Sequence, residues 1–473
     1  MSVLKGIELL SSIEGKTVTL VGAGVSNMPL AAFLAERGAR LTVRDRKSEE
    51  QLGERAEKLR ALGARLILGE DYLCGIDEEI IFRSPGFRPD LPEFADAVAR
   101  GSILTSEIKL FLECCPCPVA AITGSDGKST TTTVTSKIFE KAFEGTARRS
   151  FLGGNIGEPL LHRIDSISPD DRVSAELSSF QLMDVDCPVD CAVITNITPN
   201  HLNWHTGMNE YIAAKARLLT HAHRAVLNYG NDITRGLGQK CACPVTYFSR
   251  NPIPVGSLRP GDSANFPKDG VITMFTDGKE IPVLRLSDIL LPGLHNAENY
   301  MAAIAASWGV ASPGDADGVA RTFGGVAHRL QLIREKDGVY FYNSSIDSSP
   351  TRTAAALDAL GSRPIVLVCG GYDKKIPYEP LADAIFAHPN VRAVFTTGQT
   401  GPRIAELIRN HEKYADSGLT LSENPSFDET AAQAASFAVS GDCVLLSPAS
   451  ASFDAFENFE QRGNHFADLV RAL

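Results

Sequence analysis

The sequence predicts an α/β protein of three domains. They are an N-terminal Rossmann-like domain over 1–112, a central sheet of the P-loop ATPase type over 113–325 and a C-terminal Rossmann-like domain over 326–473. Three observations lead there. The 473 residues suit two to four domains at about 100–200 residues each. Short β-branched runs alternate with helical patterns, and the runs end in Gly, Ser or Asn, as strands of a parallel sheet do where ligands bind. One such run, at the head of the second segment, leads into a Gly/Ser loop that carries a lysine.

In the first segment TVTLV (17–21) reads as a strand, Gly22-Ala23-Gly24 as a turn and 27–37 as a helix. LTVRD (41–45) is a second strand ending on Asp45, and RLILG (65–69) and EIIFRSPG (79–86) are two more. The Pro/Cys-rich stretch 114–118 reads as a linker. After it, PVAAITGSDGKSTTTTVTSKIF (118–139) is strand, loop and helix, followed by strands RVSAEL (172–177) and CAVITNI (191–197) and a helix around 209–221. Short strands with Gly/Pro turns fill 240–290, and a helix begins within 292–307. Strands VYFYNSS (339–345), PIVLVCGG (364–371), AVFTTG (393–398) and CVLLSPAS (443–450) imply a parallel sheet in the third segment.

Composition narrows the function classes. Apolar residues at 44% and charged residues at 22% are those of folded protein. Forty-six basic against fifty-seven acidic residues give −11, which argues against a general binder of nucleic acid or anionic membrane. No apolar run reaches the roughly 18 residues of a membrane span, and Glu8 and Glu14 interrupt any signal peptide, so a cytoplasmic location is expected. The ten cysteines are expected as reduced thiols; Cys114, Cys115 and Cys117 crowd together without a second CxxC at zinc-ribbon spacing.

The sharpest chemical signal is Gly124-Ser125-Asp126-Gly127-Lys128-Ser129-Thr130. Backbone N–H groups at a helix start face an anion, Lys128 adds charge for β/γ phosphates, and Ser129 or Thr130 offers a hydroxyl to Mg²⁺. The loop is shorter than the common P-loop, with Ile122 where the first glycine would stand. Glu176, His201 and His205 follow at strand ends, where a carboxylate and an imidazole could hold Mg²⁺ beside a nucleotide. In the first segment Asn27 replaces the third glycine of GxGxxG, so an anion site for a diphosphate fits better than a nicotinamide cofactor; Asp45 could meet a ribose or base. Lys215, with apolar neighbours, reads as a snorkelling surface lysine; Lys374 and Lys375 read as solvated lysines or partners of a carboxylate substrate.

Taken in order, the GKST loop, GGNIG (153–157), AELSSFQL (175–182), TNITPNHLNWH (195–205), AAK (213–215), LPGLHNAENYMAA (291–303) and His328-Arg329 resemble the Mur ligase family over nearly the whole chain. GAGVS, SPG (84–86) and the tail SPASASFDAFENFEQRGNHF (447–466) are similar to the branch that adds D-glutamate. The resemblance implies an ATP-dependent amide-bond ligase of cytoplasmic peptidoglycan synthesis, serving cell shape and division. Its substrates would be UDP-N-acetylmuramoyl-L-alanine and D-glutamate, joined through an acyl phosphate with ATP and two Mg²⁺ ions, in a monomer.

It also implies roles. Lys128, Glu176, His201 and Lys215 would be catalytic, with Ser129, Glu176, His201 and a carbamylated Lys215 holding metal. ATP would lie against residues 124–130, Asn296, Asn299 and Arg329. Gly24, Val25, Ser26, Asp45, Arg46, Ser84, Pro85 and Gly86 would bind the uridine diphosphate, with Asn155 and Gln181 toward the rest of that substrate. Ser348, Lys374, Ser452, Phe453 and Phe459 would bind D-glutamate. Arg329 and Lys374 belong to the third domain, so reaching ligands of the second calls for domain closure.

Two places depart from the family pattern. Asn343-Ser344-Ser345 stands for Asn-Asp-Ser, with Asp347 nearby and Ile346 where some relatives carry lysine; Asn200-His201-Leu202-Asn203 stands for Asp-His-Leu-Asp. They bear on nucleotide contacts and on charge near the metal, not on reaction class. Three alternatives stay open: a related Mur or folylpolyglutamate-type ligase with another amino acid, an NAD-dependent dehydrogenase, and a nucleotide-binding regulator without chemistry.

Overall fold

The computed structural model describes residues 2–24, 27–202, 204–291 and 293–473. Val25, Ser26 and Asn203 lie outside the described residues. The first sheet has strands β1 (Thr17–Val21), β2 (Arg40–Asp45), β3 (Arg65–Leu68), β4 (Ile80–Arg83) and β5 (Ile103–Thr105). All are parallel in the order β3-β2-β1-β4-β5, a Rossmann-like arrangement.

The second sheet holds β6 (Val119–Thr123), β7 (Ser150–Gly154), β8 (Arg172–Glu176), β9 (Val189–Ile194), β10 (Ala222–Asn228), β11 (Val245–Phe248), β12 (Ser263–Lys268), β13 (Val271–Thr276) and β14 (Lys279–Arg285). They lie in the order β14-β13-β12-β11-β10-β9-β6-β8-β7. The strands from β7 to β12 are parallel, and β12, β13 and β14 close the edge as antiparallel neighbours. Every residue of β6 is buried, which explains its unbroken apolar reading.

The third sheet comprises β15 (Gln331–Lys336), β16 (Val339–Asn343), β17 (Ile365–Gly370), β18 (Val391–Thr397), β19 (Thr420–Glu423) and β20 (Cys443–Leu446), in the order β15-β16-β20-β17-β18-β19. The parallel sheet expected here is corrected at one edge: β15 and β16 pair antiparallel, because the Asp337-Gly338 turn joins them directly.

The chain forms two compact units, Met1–Ile289 with His295–Arg321, and Leu290–Leu294 with Thr322–Leu473. One apolar core runs through the first unit from Val18, Leu20 and Phe82 to Ala121, Val173 and Leu227. Arg83 and Asp184 tie its two sheets with a bidentate ion pair, and Glu107 accepts from the Leu160 and Leu161 N–H groups at 2.7 Å each. The second unit packs Leu357, Leu367 and Leu445 on one face of its sheet and Val366, Val368 and Phe466 on the other. Among the described residues no helix is long and apolar enough to cross a membrane.

Candidate active site

β6 runs straight into the lysine-bearing loop and the helix Lys128–Ala142. The loop closes tightly against its neighbours. A Cβ on Gly124 would stand 1.8 Å from Thr195 Oγ1, and one on Gly127, at φ +78°, would stand 2.3 Å from Asn299 Oδ1. Only glycine satisfies both positions. Residues just beyond β9 hold the loop: Asn196 Oδ1 accepts from Asp126 N–H at 3.0 Å, and Thr195 Oγ1 donates to the Asp126 carbonyl at 2.6 Å. Ser125 Oγ lies 2.9 Å from both the Thr198 carbonyl and Tyr211 Oη, so this serine builds the loop from inside.

Lys128 Nζ donates to the Gly124 and Ser125 carbonyls at 3.0 and 2.8 Å, staying over the loop it serves. Ser129 is buried, Thr130 half-buried and Asp126 exposed. Asn299 accepts from Thr131 Oγ1 at 3.3 Å and donates to Asn296 Oδ1 at 3.1 Å, which puts both asparagines beside the first turn of the helix.

Lys215 overturns the snorkelling reading. Its side chain, on the helix Met208–Ala216, is 1% exposed and donates to the Gly124 carbonyl at 2.8 Å and to Thr123 Oγ1 at 3.2 Å. Burial, aided by the Lys128 charge, pulls its pKa down to about 7. Glu176 ends β8, also 1% exposed. One of its oxygens accepts from Asn155 Nδ2 at 2.8 Å, and the other, Oε2, is buried without a hydrogen-bond partner among the described residues.

His201 is exposed and left-handed, at φ 55°. Partial desolvation by its neighbours, then the charges of Lys128 and Lys215, lowers its pKa and favours the neutral imidazole that can bind metal. His205 has the opposite fate: Nδ1 lies 3.0 Å from Glu210 Oε2 and Nε2 lies 2.9 Å from Ser179 Oγ, so it has no ring nitrogen to offer a metal.

These residues fit Mg²⁺. Among the described residues no three His, Cys, Asp or Glu converge on a metal. An orphaned carboxylate oxygen near the lysine-bearing loop is nevertheless what a hard cation requires, since Mg²⁺ takes one or two protein carboxylates and fills its shell with phosphate and water. Glu176, His201 and Ser129 would hold it.

At the N-terminal strand ends, Asp45 Oδ2 accepts from Ala23 N–H at 2.7 Å and Oδ1 from Lys47 N–H at 2.9 Å. One N–H of the glycine-rich turn is therefore engaged by the protein's own carboxylate. Ser84 Oγ donates to the Val21 carbonyl at 2.8 Å and accepts from Asn27 Nδ2 at 2.9 Å, while the exposed Arg46 lies 3.8 Å from Glu70. The Gly86 carbonyl accepts from Trp204 Nε1 at 3.2 Å, joining this loop to the one that carries His201. Gln181 is turned inward, its Oε1 accepting from Ser178 N–H at 2.8 Å.

In the second unit Lys374 Nζ donates to Ser348 Oγ at 3.1 Å, and burial together with Arg352 and Arg462 lowers its pKa. The arginine that does most here went unread in the sequence. Arg462 is 2% exposed and donates to the Ser345, Ser450 and Ala451 carbonyls and to Ser345 Oγ at 2.8–3.2 Å. Its position in a tail helix carries no local signal of burial. Ser452 is buried, Phe453 is exposed with its ring 5.9 Å from Tyr372, and Phe459 packs 5.9 Å from the His328 ring. Asp347 is buried beside the strand end and accepts from Ser447 Oγ at 2.9 Å, with Arg329 among the charges acting on it. A cavity of about 490 Å³, floored by Ile385, Phe386, Val391 and Leu419, opens at the start of β18 and contains none of the candidate residues.

The description "Mur ligase middle domain" fits residues 122–307, and "Mur ligase, glutamate ligase domain" fits residues 328–450. The UDP-N-acetylmuramoylalanine–D-glutamate ligase of Ruminiclostridium cellulolyticum is 43% identical over 470 residues, covering 98% of this chain and 97% of that protein. The enzyme of the same name from Acetivibrio thermocellus is 41% identical over 468 residues, with 98% and 97% covered. The crystal structure of the UDP-N-acetylmuramate–alanine ligase of Thermotoga maritima superposes with a TM-score of 0.57 at 18% identity, over 97% of this chain and 99% of that one, which shows a shared fold.

Proposed function

The chain belongs to the Mur ligase family, and we infer that it is the ATP-dependent ligase that adds D-glutamate to UDP-N-acetylmuramoyl-L-alanine in peptidoglycan synthesis. The observation that carries this reading is 43% identity, over 98% of the chain, to a ligase named for that reaction. The work divides among three domains: 1–112 takes the nucleotide sugar, 113–325 takes ATP and 326–473 takes the amino acid. The reaction runs in the cytoplasm, with one chain as the working unit.

A carboxylate is a poor electrophile, so the L-alanyl carboxylate first takes the γ-phosphoryl group of ATP, with ADP as the leaving group. The amine of D-glutamate then attacks the acyl phosphate, forming the amide bond and releasing phosphate. Little of this needs covalent help from the protein, which must gather anions and hold them in line. The N–H groups at the start of the helix Lys128–Ala142 and the Lys128 ammonium grip the triphosphate. Asn296 and Asn299 border the adenine, Arg329 contacts the nucleotide, and Lys374 with Ser348 receives a D-glutamate carboxylate.

Mg²⁺, in two ions, would supply positive charge to the oxygens of the transferred phosphoryl group. At a pKa of about 7, much of Lys215 is neutral amine at physiological pH, the form that takes up CO₂ as a carbamate. That change would turn a buried cation into an oxygen ligand.

The test is an amino-acid panel for phosphate release with ATP, Mg²⁺ and UDP-N-acetylmuramoyl-L-alanine. Release should require D-glutamate. A better rate with L-alanine or a diamino acid would overturn the D-glutamate assignment.

A further inference from the structure

The three segments that carry Glu176, His201 and Lys215 each send a second side chain into one hydrogen-bonded series. Ser179 follows Glu176 by three residues, His205 follows His201 by four and Glu210 precedes Lys215 by five. Ser179 Oγ is 2.9 Å from His205 Nε2, and His205 Nδ1 is 3.0 Å from Glu210 Oε2. Glu210 then accepts from both terminal nitrogens of Arg88, at 2.8 and 3.0 Å, and Arg88 follows the Ser84-Pro85-Gly86 turn. Arg88 also donates to the Trp204 carbonyl at 3.3 Å, and Trp204 reaches back to Gly86.

Every bond in the series has one direction. The Arg88 guanidinium holds the Glu210 carboxyl down at about 2, so it is a carboxylate and can only accept. His205 Nδ1–H must donate to it. With Nδ1 donating, the neutral tautomer presents Nε2 as the acceptor of the Ser179 hydroxyl. The order Ser–His–Glu is that of a hydrolase triad, but Ser179 is 2% exposed and His205 3%, so no external ester can reach the hydroxyl.

We propose that Ser179, His205, Glu210 and Arg88 are positioning residues, a single brace that sets the segments bearing Glu176, His201 and Lys215 against one another and against the Ser84–Gly86 turn. The proposal rests on the reading of those three residues as metal ligands. Glu176 ends β8, His201 lies in the loop after β9 and Lys215 is on a short helix, and among the described residues no strand pairing joins these three segments directly. The brace supplies that relation. Phe180 extends it, with its ring 4.9 Å from His201, 4.4 Å from Trp204 and 5.6 Å from His205. This packing explains how His201 keeps a left-handed backbone at φ 55°, a conformation that surrounding structure must impose.

The test uses the full chain with ATP and bicarbonate, and Mn²⁺ as a paramagnetic stand-in for Mg²⁺. Mn²⁺ affinity is read by electron paramagnetic resonance and set beside KM for each substrate. His205→Ala should weaken Mn²⁺ binding about 10–100-fold, as loss of groups that orient metal ligands does. It should raise KM for the nucleotide sugar and leave KM for D-glutamate unchanged. His205→Asn keeps a donor for Glu210 and should recover part of the loss. Wild-type Mn²⁺ affinity in His205→Ala would overturn the brace, as would an equal rise in all three KM values. Should His205→Ala fail to fold, Ser179→Ala and Glu210→Gln each remove one bond, and unchanged Mn²⁺ affinity in both overturns it as well. A wild-type enzyme that binds no Mn²⁺ in the presence of ATP would instead refute the metal reading beneath the proposal.

Discussion

Both strand-end clusters bury a cation, and they treat it differently. In the first unit Lys215 is 1% exposed, meets a carbonyl and a hydroxyl, and lies near a glutamate oxygen that has no hydrogen-bond partner among the described residues. In the second unit Arg462 is 2% exposed, yet its guanidinium is engaged throughout by carbonyls and a serine hydroxyl. Burial drags Lys215 to about 7 and Arg462 only to about 10. The first cluster is electrostatically unfinished and calls for ions. The second is complete, and serves as scaffold for the loops that carry Lys374, Ser348 and Ser452.

The largest effect that can sharpen this contrast is on rate. Lys128→Ala should lower D-glutamate-dependent phosphate release about 10³-fold, because a preorganised charge facing the phosphoryl oxygens disappears. Turnover near that of the wild type would refute the phosphate-loop role.

Next come two substitutions with unequal effects on stability. Lys215→Met should abolish activity and cost less stability against urea than the loss of Arg462, since both groups that its amine bonds keep another hydrogen-bond partner, although Glu176 loses a nearby cation. The Gly124 carbonyl keeps Lys128 as donor, and Thr123 Oγ1 still donates to the Leu177 carbonyl. Arg462→Met should cost about 3 kcal/mol, because several buried carbonyls lose their donor together. Equal destabilisation by both would break the comparison.

The smallest effect concerns Glu107. Burial pushes its carboxyl above the ordinary 4.5, so the folded chain holds a proton that the unfolded chain has released, and stability falls as pH rises above about 4.5. One oxygen, Oε1, accepts both backbone N–H groups. Glu107→Gln keeps that acceptor and should flatten the decline. An unchanged dependence in urea titrations across pH would contradict a raised pKa at Glu107.

What could be read in the sequence was what neighbours in the chain determine. The lysine-bearing loop is legible because strand, loop and helix start are contiguous. Lys215 is not, because the groups that bury it come from Thr123 and Gly124, far back in the chain. His201 and His205 look alike in TNITPNHLNWH; Ser179, from a different strand end, separates them. The strand Ser150–Gly154 hides behind its glycines, and Ala222–Asn228 behind a polar, only partly buried first half, although it lies in the middle of its sheet. Asn155 and Gln181, expected toward the nucleotide sugar by resemblance, hydrogen-bond to Glu176 and to Ser178. Only tertiary packing determines which way such amides turn.

Phosphoryl transfer to a carboxylate is the central chemical claim, and isotope transfer tests it most directly. UDP-N-acetylmuramoyl-L-alanine labelled with ¹⁸O in the alanyl carboxylate, turned over with ATP and D-glutamate, should place one labelled oxygen in the released phosphate. Phosphate free of ¹⁸O, at normal product yield, would contradict the account.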